Sequence, residues 1–496
     1  MSTVLPHLLS EPEIAALLAR LGARPRGITS DSRRVEPGVA FAAYPGAAQD
    51  GRKFIAHAVE RGAPAVLWEA ENFAWDASID VANQPVEELK RNLGPIADFI
   101  YGSPSHALWT IGVTGTNGKT SCTHWIAQAF ERFGRGAAVI GTLGSGFVGS
   151  LEPAPNTTPD AALLQEKLAR LRAGGAQIVA IEVSSIGLAQ DRVNGMSFDV
   201  ALFTNLSRDH LDYHGTMAAY GAAKARLFAW PSLLAAVINI DDDFGRGLVD
   251  QMRGHAASRV TYGLSGAEIT ATSVATTDTG MTLGVTTPWG NGELHTTLVG
   301  AFNASNLLGT LGVLLASGVS LDDALAAMTA LRPPPGRMQR HGGGDQPLVV
   351  IDYAHTPDAL EKVLKALRPS VRDGNALVCV FGAGGDRDPG KRPEMGRVAA
   401  SHADRVVVTS DNPRSEDPTA IAMAIAQGVR AAGNRHWILE TDRAKAIRNA
   451  ILAAQPGDVV VLAGKGHETY QEIAGEKRAF SDATEAIAAL AARESR

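Results

Sequence analysis

The sequence predicts an α/β protein of three domains: a small α/β unit over residues 1–103, a central domain with a mostly parallel sheet and a small β element over 104–335, and a Rossmann-like domain over 336–496. Length is the first observation, since 496 residues exceed what one hydrophobic core organises. Punctuation is the second: Tyr101-Gly102-Ser103-Pro104-Ser105 reads as a linker, and the three prolines of Arg332-Pro333-Pro334-Pro335-Gly336-Arg337 stop any helix. The third is a repeated design in which continuous apolar runs end in polar clusters and alternate with helical patterns, as in parallel sheets. A composition of 45% apolar and 20% charged residues is that of a globular chain, and 52 glycines suit many tight βα turns. A net charge of −6 leaves no footprint for nucleic acid. Cys122 and Cys379 each sit in an apolar element, which argues against a disulfide scaffold or structural zinc and fits a reducing cytosol. Residues 1–18 carry Glu11 and Glu13 and lack a basic segment followed by an apolar run, so no secretory signal is expected. No apolar run approaches the ~20 residues of a membrane helix. A cytoplasmic monomer without membrane or nucleic-acid partners is the expectation.

In the first domain, residues 10–21 predict a capped amphipathic helix: Ser10 as N-cap, Glu13 at the third helical position, and Ile14, Leu17, Leu18 and Leu21 on one face. A strand breaking into a turn is expected over 27–38, a strand over 39–44, a helix over 50–62 and a strand over 63–68. Ser30, Ser32 and Arg33 at a strand end suit an anionic headgroup, and suit equally a hydrogen-bonded turn with a surface arginine.

The central domain opens on an apolar strand, 108–113, followed by Thr114-Gly115-Thr116-Asn117-Gly118-Lys119-Thr120 and a helix starting at Ser121. Strand, glycine loop and helix are what a phosphate cradle needs: small residues let backbone N–H groups close on phosphate oxygens, and the helix adds its positive dipole end. Lys119 can reach outer phosphates and the Thr120 hydroxyl can join a magnesium shell. The strict phosphate-loop pattern is not met, because Val113 stands where its first glycine would be. Glu182 falls in the otherwise apolar run 178–183, where a carboxylate is costly unless it holds a cation or is salt-bridged. Ser207-Arg208-Asp209-His210-Leu211-Asp212-Tyr213-His214 offers a metal cluster or ordinary turn chemistry. A helix over 218–228 carries Lys224, which taken alone reads as a surface residue. A strand over 237–243, hairpins over 269–299 and a helix capped by residues 300–306 complete the domain.

In the last domain the runs 348–352, 377–381, 405–408 and 458–463 predict four buried parallel strands. Each ends in polar residues: Asp352 to Thr356, Gly382 to Asp388, Thr409 to Arg414, and Gly464 to Glu468. Four such clusters on one sheet edge mark a ligand site beyond the carboxyl ends of the strands.

With these residues together, the chain resembles the Mur ligases, ATP-dependent amide-forming enzymes of peptidoglycan precursor synthesis, over essentially its full length. The resemblance implies a UDP-sugar domain, a central P-loop ATPase domain and a C-terminal Rossmann-like domain that brings the amino acid. It also implies ATP and Mg2+. Gly115, Thr116, Asn117, Gly118, Lys119, Thr120 and Ser121, with Asn303, Arg337, Asp352 and His355, match ATP positions. Ser30 matches a contact to the UDP moiety, and Asn156, Thr157, Thr158, Ser184, Gln190 and Arg192 match residues holding the muramoyl-dipeptide. Thr120, Glu182 and His210 match magnesium positions, joined by Lys224, which matches a lysine carbamylated in the family. Lys119, Lys224 and His210 are thereby the catalytic set.

Asp411-Asn412-Pro413-Arg414 resembles the quartet of diaminopimelate-adding members, with Arg387, Gly464 and Glu468 as further contacts. Diaminopimelate carries a second carboxylate at its far end, and an arginine offers it a bidentate fork. The expected substrates are therefore UDP-N-acetylmuramoyl-L-alanyl-D-glutamate and meso-2,6-diaminopimelate. Folylpolyglutamate synthetase shares the ATPase and C-terminal domains but is not expected to carry the first hundred residues. The loop 46–51 varies among relatives, and no role is assigned to it.

Overall fold

The computed structural model describes residues 8–46, 49–154, 156–277, 280–300 and 302–494. Ala47 and Ala48 of the 46–51 loop, and Ala301 of the expected helix cap, lie outside the described residues.

The first sheet is parallel throughout, with Gly27–Thr29, Val39–Ala43, Ala65–Glu69 and Ala82–Val86 in that order. Glu11–Leu21 packs against it and begins as predicted, with the Ser10 N–H donating to the Glu13 carboxylate at 2.7 Å. Ile14, Leu17 and Leu21 are buried; Leu18 falls at the margin of the face. The expected helix at 50–62 is a 3-10 turn, Gly51–Phe54, running into Ile55–Glu60. Two elements escape the sequence reading. Ala82–Val86 contains Pro85, tolerated because this is an edge strand. Leu89–Ile100 contains Pro95, a signal against a helix interior, and starts after Glu88, its N-cap, at φ +50°. That helix seats the first unit on the second. A Cβ on Gly94 would lie 1.9 Å from the Asn194 carbonyl oxygen, so only glycine permits this approach.

The central sheet has 11 strands. Seven run parallel in the order Ile269–Thr276, Ser258–Gly263, Ala235–Asn239, Val200–Phe203, Trp109–Thr114, Ile178–Glu182 and Ala137–Gly141. Antiparallel hairpins extend both edges, so the expected small β element continues the main sheet. Helices Lys119–Arg132 and Phe302–Ala316 bury Trp125, Phe130 and Leu307 against one face. Ala161–Ala173 covers the other with Leu164 and Leu168. Two details differ from the sequence reading. The strand expected at 237–243 stops at Asn239, because Asp242 caps a further helix, Asp243–Gln251. The helix expected after 306 begins at Phe302, which places Asn303 and Asn306 inside its first turns.

The third sheet orders its strands Gln339–Gly342, Leu348–Asp352, Val459–Ala463, Leu377–Phe381, Arg405–Val408 and Trp437–Leu439, antiparallel only at the first pair. The four strands expected from sequence are its contiguous centre. Their polar termini consequently share one edge, and that edge faces the central domain. Among the described residues no helix is long and apolar enough to cross a membrane.

Candidate active site

The loop after Trp109–Thr114 is built for close backbone approach. Gly115 and Gly118 adopt φ of +146° and +88°, and a Cβ on Gly118 would meet Asn306 Oδ1 at 2.5 Å. Gly118 caps Lys119–Arg132, so the free N–H groups of that helix open onto the loop. Asn205 anchors the loop from the neighbouring strand: its carbonyl accepts from Thr116 N at 2.8 Å and its Oδ1 from Asn117 N at 3.0 Å. Lys119 Nζ donates to the carbonyls of Gly115 and Thr116, both at 2.9 Å. Desolvation lowers its pKa, opposed by Glu182 and Asp209. Ser121 is buried behind it.

Glu182 is 1% exposed, and its partners decide between the two readings of a buried carboxylate. They are Thr120 Oγ1 at 3.0 Å, Thr142 N at 2.9 Å and Thr142 Oγ1 at 3.0 Å, rather than a lysine or arginine. Gly141 makes room for it, since a Cβ there would sit 2.2 Å from Glu182 Oε1.

Lys224 corrects the surface reading. On the short helix Met217–Ala225 it turns inward and is 1% exposed, with Nζ donating to Gly115 O at 2.8 Å and lying 4.4 Å from the Tyr220 ring centroid. Desolvation, then the charge of Lys119, push its pKa well down, which favours the neutral, nucleophilic amine. The composition of that helix, alanine-rich around one lysine, hid this; the surroundings come from another strand.

The 207–215 stretch resolves into separate roles. His214 Nε2 meets Ser185 Oγ at 3.0 Å, and Asp212 faces Arg387 at 3.9 Å. His210 takes φ +52°, and burial lowers its pKa to about 4, leaving the neutral imidazole that metals prefer. Among the described residues no group of three or more His, Cys, Asp or Glu could hold a metal unaided. Magnesium does not require one, because it is commonly held by one or two protein oxygens together with water and phosphate. The hydroxyl of Thr120 and the carboxylate of Glu182 fit that pattern.

Asp209, which the sequence offers only as a member of a possible metal cluster, joins the two larger domains. Its carboxylate lies 3.6 Å from His355 Nε2 and 3.9 Å from Lys391 Nζ. Burial would raise its pKa, but the proximity of His355, His210 and Lys391 outweighs that and holds it well below the usual carboxylate range. Arg208 pairs with Asp388 at 3.0 Å, Arg337 Nη2 donates to Thr120 Oγ1 at 3.2 Å, and Asn117 Nδ2 to Asp358 Oδ2 at 3.1 Å. A cavity of about 460 Å³ opens at this seam, lined by residues 116–121 with Glu182, His210, Asn303, Arg337, Asp352 and His355. Within it Arg337 stacks 4.4 Å over the Tyr353 ring, and Asp352 accepts from Met338 N and Ala354 N, both at 2.9 Å. His355 Nδ1 is 2.8 Å from Tyr353 O, and Asn303 Nδ2 donates to Val299 O at 2.8 Å.

Toward the first domain, Ser30 lies near the Tyr44 hydroxyl, which Asp160 and Arg192 also influence. Arg33 is folded onto Asp31 at 2.8 Å and is mostly exposed, which is the turn-and-surface-arginine alternative. Arg192 donates to Thr158 O at 2.8 Å and, through Nη2, to Gln190 Oε1 at 2.7 Å. Thr157 Oγ1 lies 3.1 Å from Thr142 Oγ1, and Asn156 is exposed. Thr158 is fully buried, its hydroxyl bonded to Glu182 O at 2.8 Å, and the Ser184 hydroxyl caps Ser185–Ala189.

Past the cavity, Asp411 and Asn412 are buried, and a Cβ on Gly464 would meet Asp411 Oδ2 at 2.7 Å. Pro413 carries its carbonyl against Gly385, where a Cβ would lie 1.9 Å away. Arg414 Nη1 donates to Gly385 O at 2.6 Å, and Asn412 Nδ2 to Glu468 Oε2 at 2.8 Å. A Cβ on Gly384 would lie 3.0 Å from Arg414 Nη1 and 3.8 Å from the Cγ of Arg387, whose own guanidinium reaches toward Asp212.

Three family models match in chain order: the Mur ligase family, catalytic domain, over residues 25–101; the Mur ligase middle domain over 113–314; and the Mur ligase, glutamate ligase domain, over 336–466. The UDP-N-acetylmuramoyl-L-alanyl-D-glutamate–2,6-diaminopimelate ligase of Chromobacterium violaceum is 53% identical over 478 residues, 96% of each chain. The chain belongs to the Mur ligase family. The same-named ligase of Pseudomonas aeruginosa is 51% identical over 95% of this chain and 96% of its own. A solved structure of that ligase type superposes with a TM-score of 0.66 at 38% identity, covering 95% of both chains. The Mur ligase fold extends further: the MurF ligase of Thermotoga maritima in complex with ADP reaches a TM-score of 0.66 at 18% identity, over 95% of this chain and 98% of its own. A Mycobacterium tuberculosis folylpolyglutamate synthase shares the fold at 22% identity and TM-score 0.61 over 74% of this chain and 91% of its own.

Proposed function

We propose that this Mur ligase joins meso-2,6-diaminopimelate to the D-glutamate carboxylate of UDP-N-acetylmuramoyl-L-alanyl-D-glutamate at the expense of ATP, as a cytoplasmic monomer divided near residues 103 and 335. The observation that carries the reading is a pair of differently built clusters, a glycine-loop cavity and a second group of polar residues on the edge of the C-terminal sheet. In the first a glycine loop, Lys119 and the buried Glu182 come together; in the second the Arg414 guanidinium lies beside Gly384 and Gly385, with the buried Asp411 and Asn412 next to it in the chain. The substrate carboxylate attacks the γ-phosphorus of ATP, giving an acyl phosphate and ADP. The free amine then attacks the acyl carbon, and the tetrahedral intermediate collapses to an amide with release of phosphate. Two anions meet in the first step, and Lys119 with the helix N-terminus offsets their repulsion. Mg2+ bound by Thr120 and Glu182, and at a second position by His210 and a carbamate on Lys224, would supply further charge neutralisation. Ser30, Tyr44 and Arg192 lie where the first domain meets the central one and suit the nucleotide-sugar. No protein nucleophile is needed.

Phosphate release from ATP with the UDP-muramoyl-dipeptide is expected with meso-diaminopimelate and to be at most marginal with lysine. Turnover with lysine alone would overturn the specificity, and silence with every acceptor would overturn the ligase reading. Lys224 gives a second expected result. Its depressed pKa favours addition of CO2, and the carbamate, an anion, relieves the repulsion from Lys119. Enzyme equilibrated with 13C-bicarbonate should show a carbamate resonance that Lys224→Arg lacks; active enzyme without it would remove this role.

A further inference from the structure

We propose that Lys465 is the positioning residue of the acceptor subsite, an internal cation that locks Asp411, Asn412 and Glu468 into the arrangement receiving an ammonium of the amino-acid substrate. The inference rests on the ligase reading above. Lysine is rarely buried without partners, yet Lys465 is 0% exposed at the end of Val459–Ala463. Its Nζ donates to Glu468 Oε2 at 2.8 Å and to Asn412 Oδ1 at 3.0 Å, and lies 3.6 Å from Asp411 Oδ1. These acceptors sit on loops following Val459–Ala463 and Arg405–Val408, two strands separated in the sheet by Leu377–Phe381. One side chain therefore ties together two sheet-edge loops that have no ladder between them.

The surroundings show a preorganised group. Asn412 Oδ1 also accepts from Glu472 N at 3.0 Å, which leaves the amide a single orientation. Beneath it a second buried cation, Arg443, pairs with Asp482 at 2.7 Å with both side chains at 0% exposure. Arg443 also donates to the carbonyls of Ser410 and Ala463 at 3.2 and 3.0 Å, the residues immediately before Asp411 and Gly464. The charge balance points to the ligand. Lys465 and Arg443 face three carboxylates, those of Asp411, Glu468 and Asp482, so the cluster carries one unbalanced negative charge. A buried charge is costly unless paired, and an incoming ammonium pairs it. Without Lys465 the carboxylates of Asp411 and Glu468 would repel and separate, and the subsite would lose its geometry before it lost its charge.

The test is a comparison of Lys465→Gln with the unsubstituted enzyme. The KM for diaminopimelate should rise about 30-fold or more, the scale for removing one partner of a buried charge pair, while the KM values for ATP and the UDP-muramoyl-dipeptide stay within about twofold. The single-turnover burst of ADP formed without acceptor should be unchanged, a readout that a general loss of folding would abolish. Lys465→Arg should recover part of the acceptor affinity. A diaminopimelate KM within about threefold of the unsubstituted value, or an equal rise in the ATP KM, would overturn the proposal. Should Lys465→Gln not fold, Lys465→Arg, which keeps the charge but alters its reach, serves instead: a diaminopimelate KM raised about threefold or more with an unchanged ATP KM supports the proposal, and an unchanged diaminopimelate KM overturns it. Failure of the ligase reading is separately visible, because the unsubstituted enzyme would then turn over no amino-acid acceptor.

Discussion

Lys119→Ala is expected to lower kcat about 10³-fold while leaving the thermal midpoint close to that of the unsubstituted protein. Preorganised charge at a developing anion is commonly worth 10² to 10³ in rate, and more for a cation on a transferring phosphoryl group. Lys119 is placed for that task, four residues after Gly115 and at the first position of Lys119–Arg132. Its contribution to the fold is small by comparison. Its Nζ is satisfied by the carbonyls of Gly115 and Thr116 alone, in surroundings that desolvate it and place Arg337 nearby. Removing a desolvated cation that lacks an ion-pair partner costs little stability. Because the lysine acts in the first step, the loss should appear in the single-turnover ADP burst as well as in steady-state phosphate release. A kcat within about tenfold of the unsubstituted enzyme would show that the helix N-terminus carries the phosphates without it.

How much of this was legible in the sequence depended on whether a residue's partners were local. The phosphate loop declared itself because strand, glycines and helix are contiguous, and the four C-terminal strands because each is an unbroken apolar run. Glu182 was legible as an anomaly, a carboxylate in an apolar strand, and its threonine partners explain how it is tolerated there. Lys224 was not legible from local pattern, since its helix reads as ordinary surface; burial comes from the Gly115 loop over 100 positions earlier. The roles of Asp209 and Lys465 were not legible for the same reason. Each sits in a polar stretch suited to a turn, and each acquires meaning only when another element brings charges to it. Leu89–Ile100 is illegible for the opposite reason: Pro95 speaks locally against a helix interior, and packing on Asn194 sustains one there.

Arg414 should decide the acceptor, and its replacement should cost kcat/KM for diaminopimelate about 10²- to 10³-fold while leaving the KM for ATP unchanged. Truncating one partner of a hydrogen-bonded buried charge pair costs at least about 2 kcal/mol, and a site built to bind a polar group rejects analogues lacking it by more. The structure presents the guanidinium ready for such a partner. Nη1 is taken by Gly385 O at 2.6 Å, while the Glu472 carboxylate lies 3.9 Å from Nε, beyond hydrogen-bond distance. The Arg387 side chain passes the same glycine with its Cγ, while its Nη1 lies 3.9 Å from the Asp212 carboxylate, so the fork at Gly384 is that of Arg414. The backbone complicates a simple truncation, because Arg414 holds φ +53° and its N–H and C=O bond to Glu472 O and Ala474 N at 3.0 and 2.7 Å. A β-carbon is strained in that region by roughly 1–2 kcal/mol, and glycine is not. Arg414→Gly is therefore the cleaner variant: it removes the guanidinium while relaxing the loop, so lost affinity cannot be assigned to backbone strain. Arg414→Lys should fare little better, since an ammonium cannot reproduce the planar fork. Lysine as acceptor should gain relative to diaminopimelate in either variant, because the unpaired cation that penalised it is gone or less rigidly held. Equal losses for ATP and diaminopimelate would instead make Arg414 a structural support of the loop.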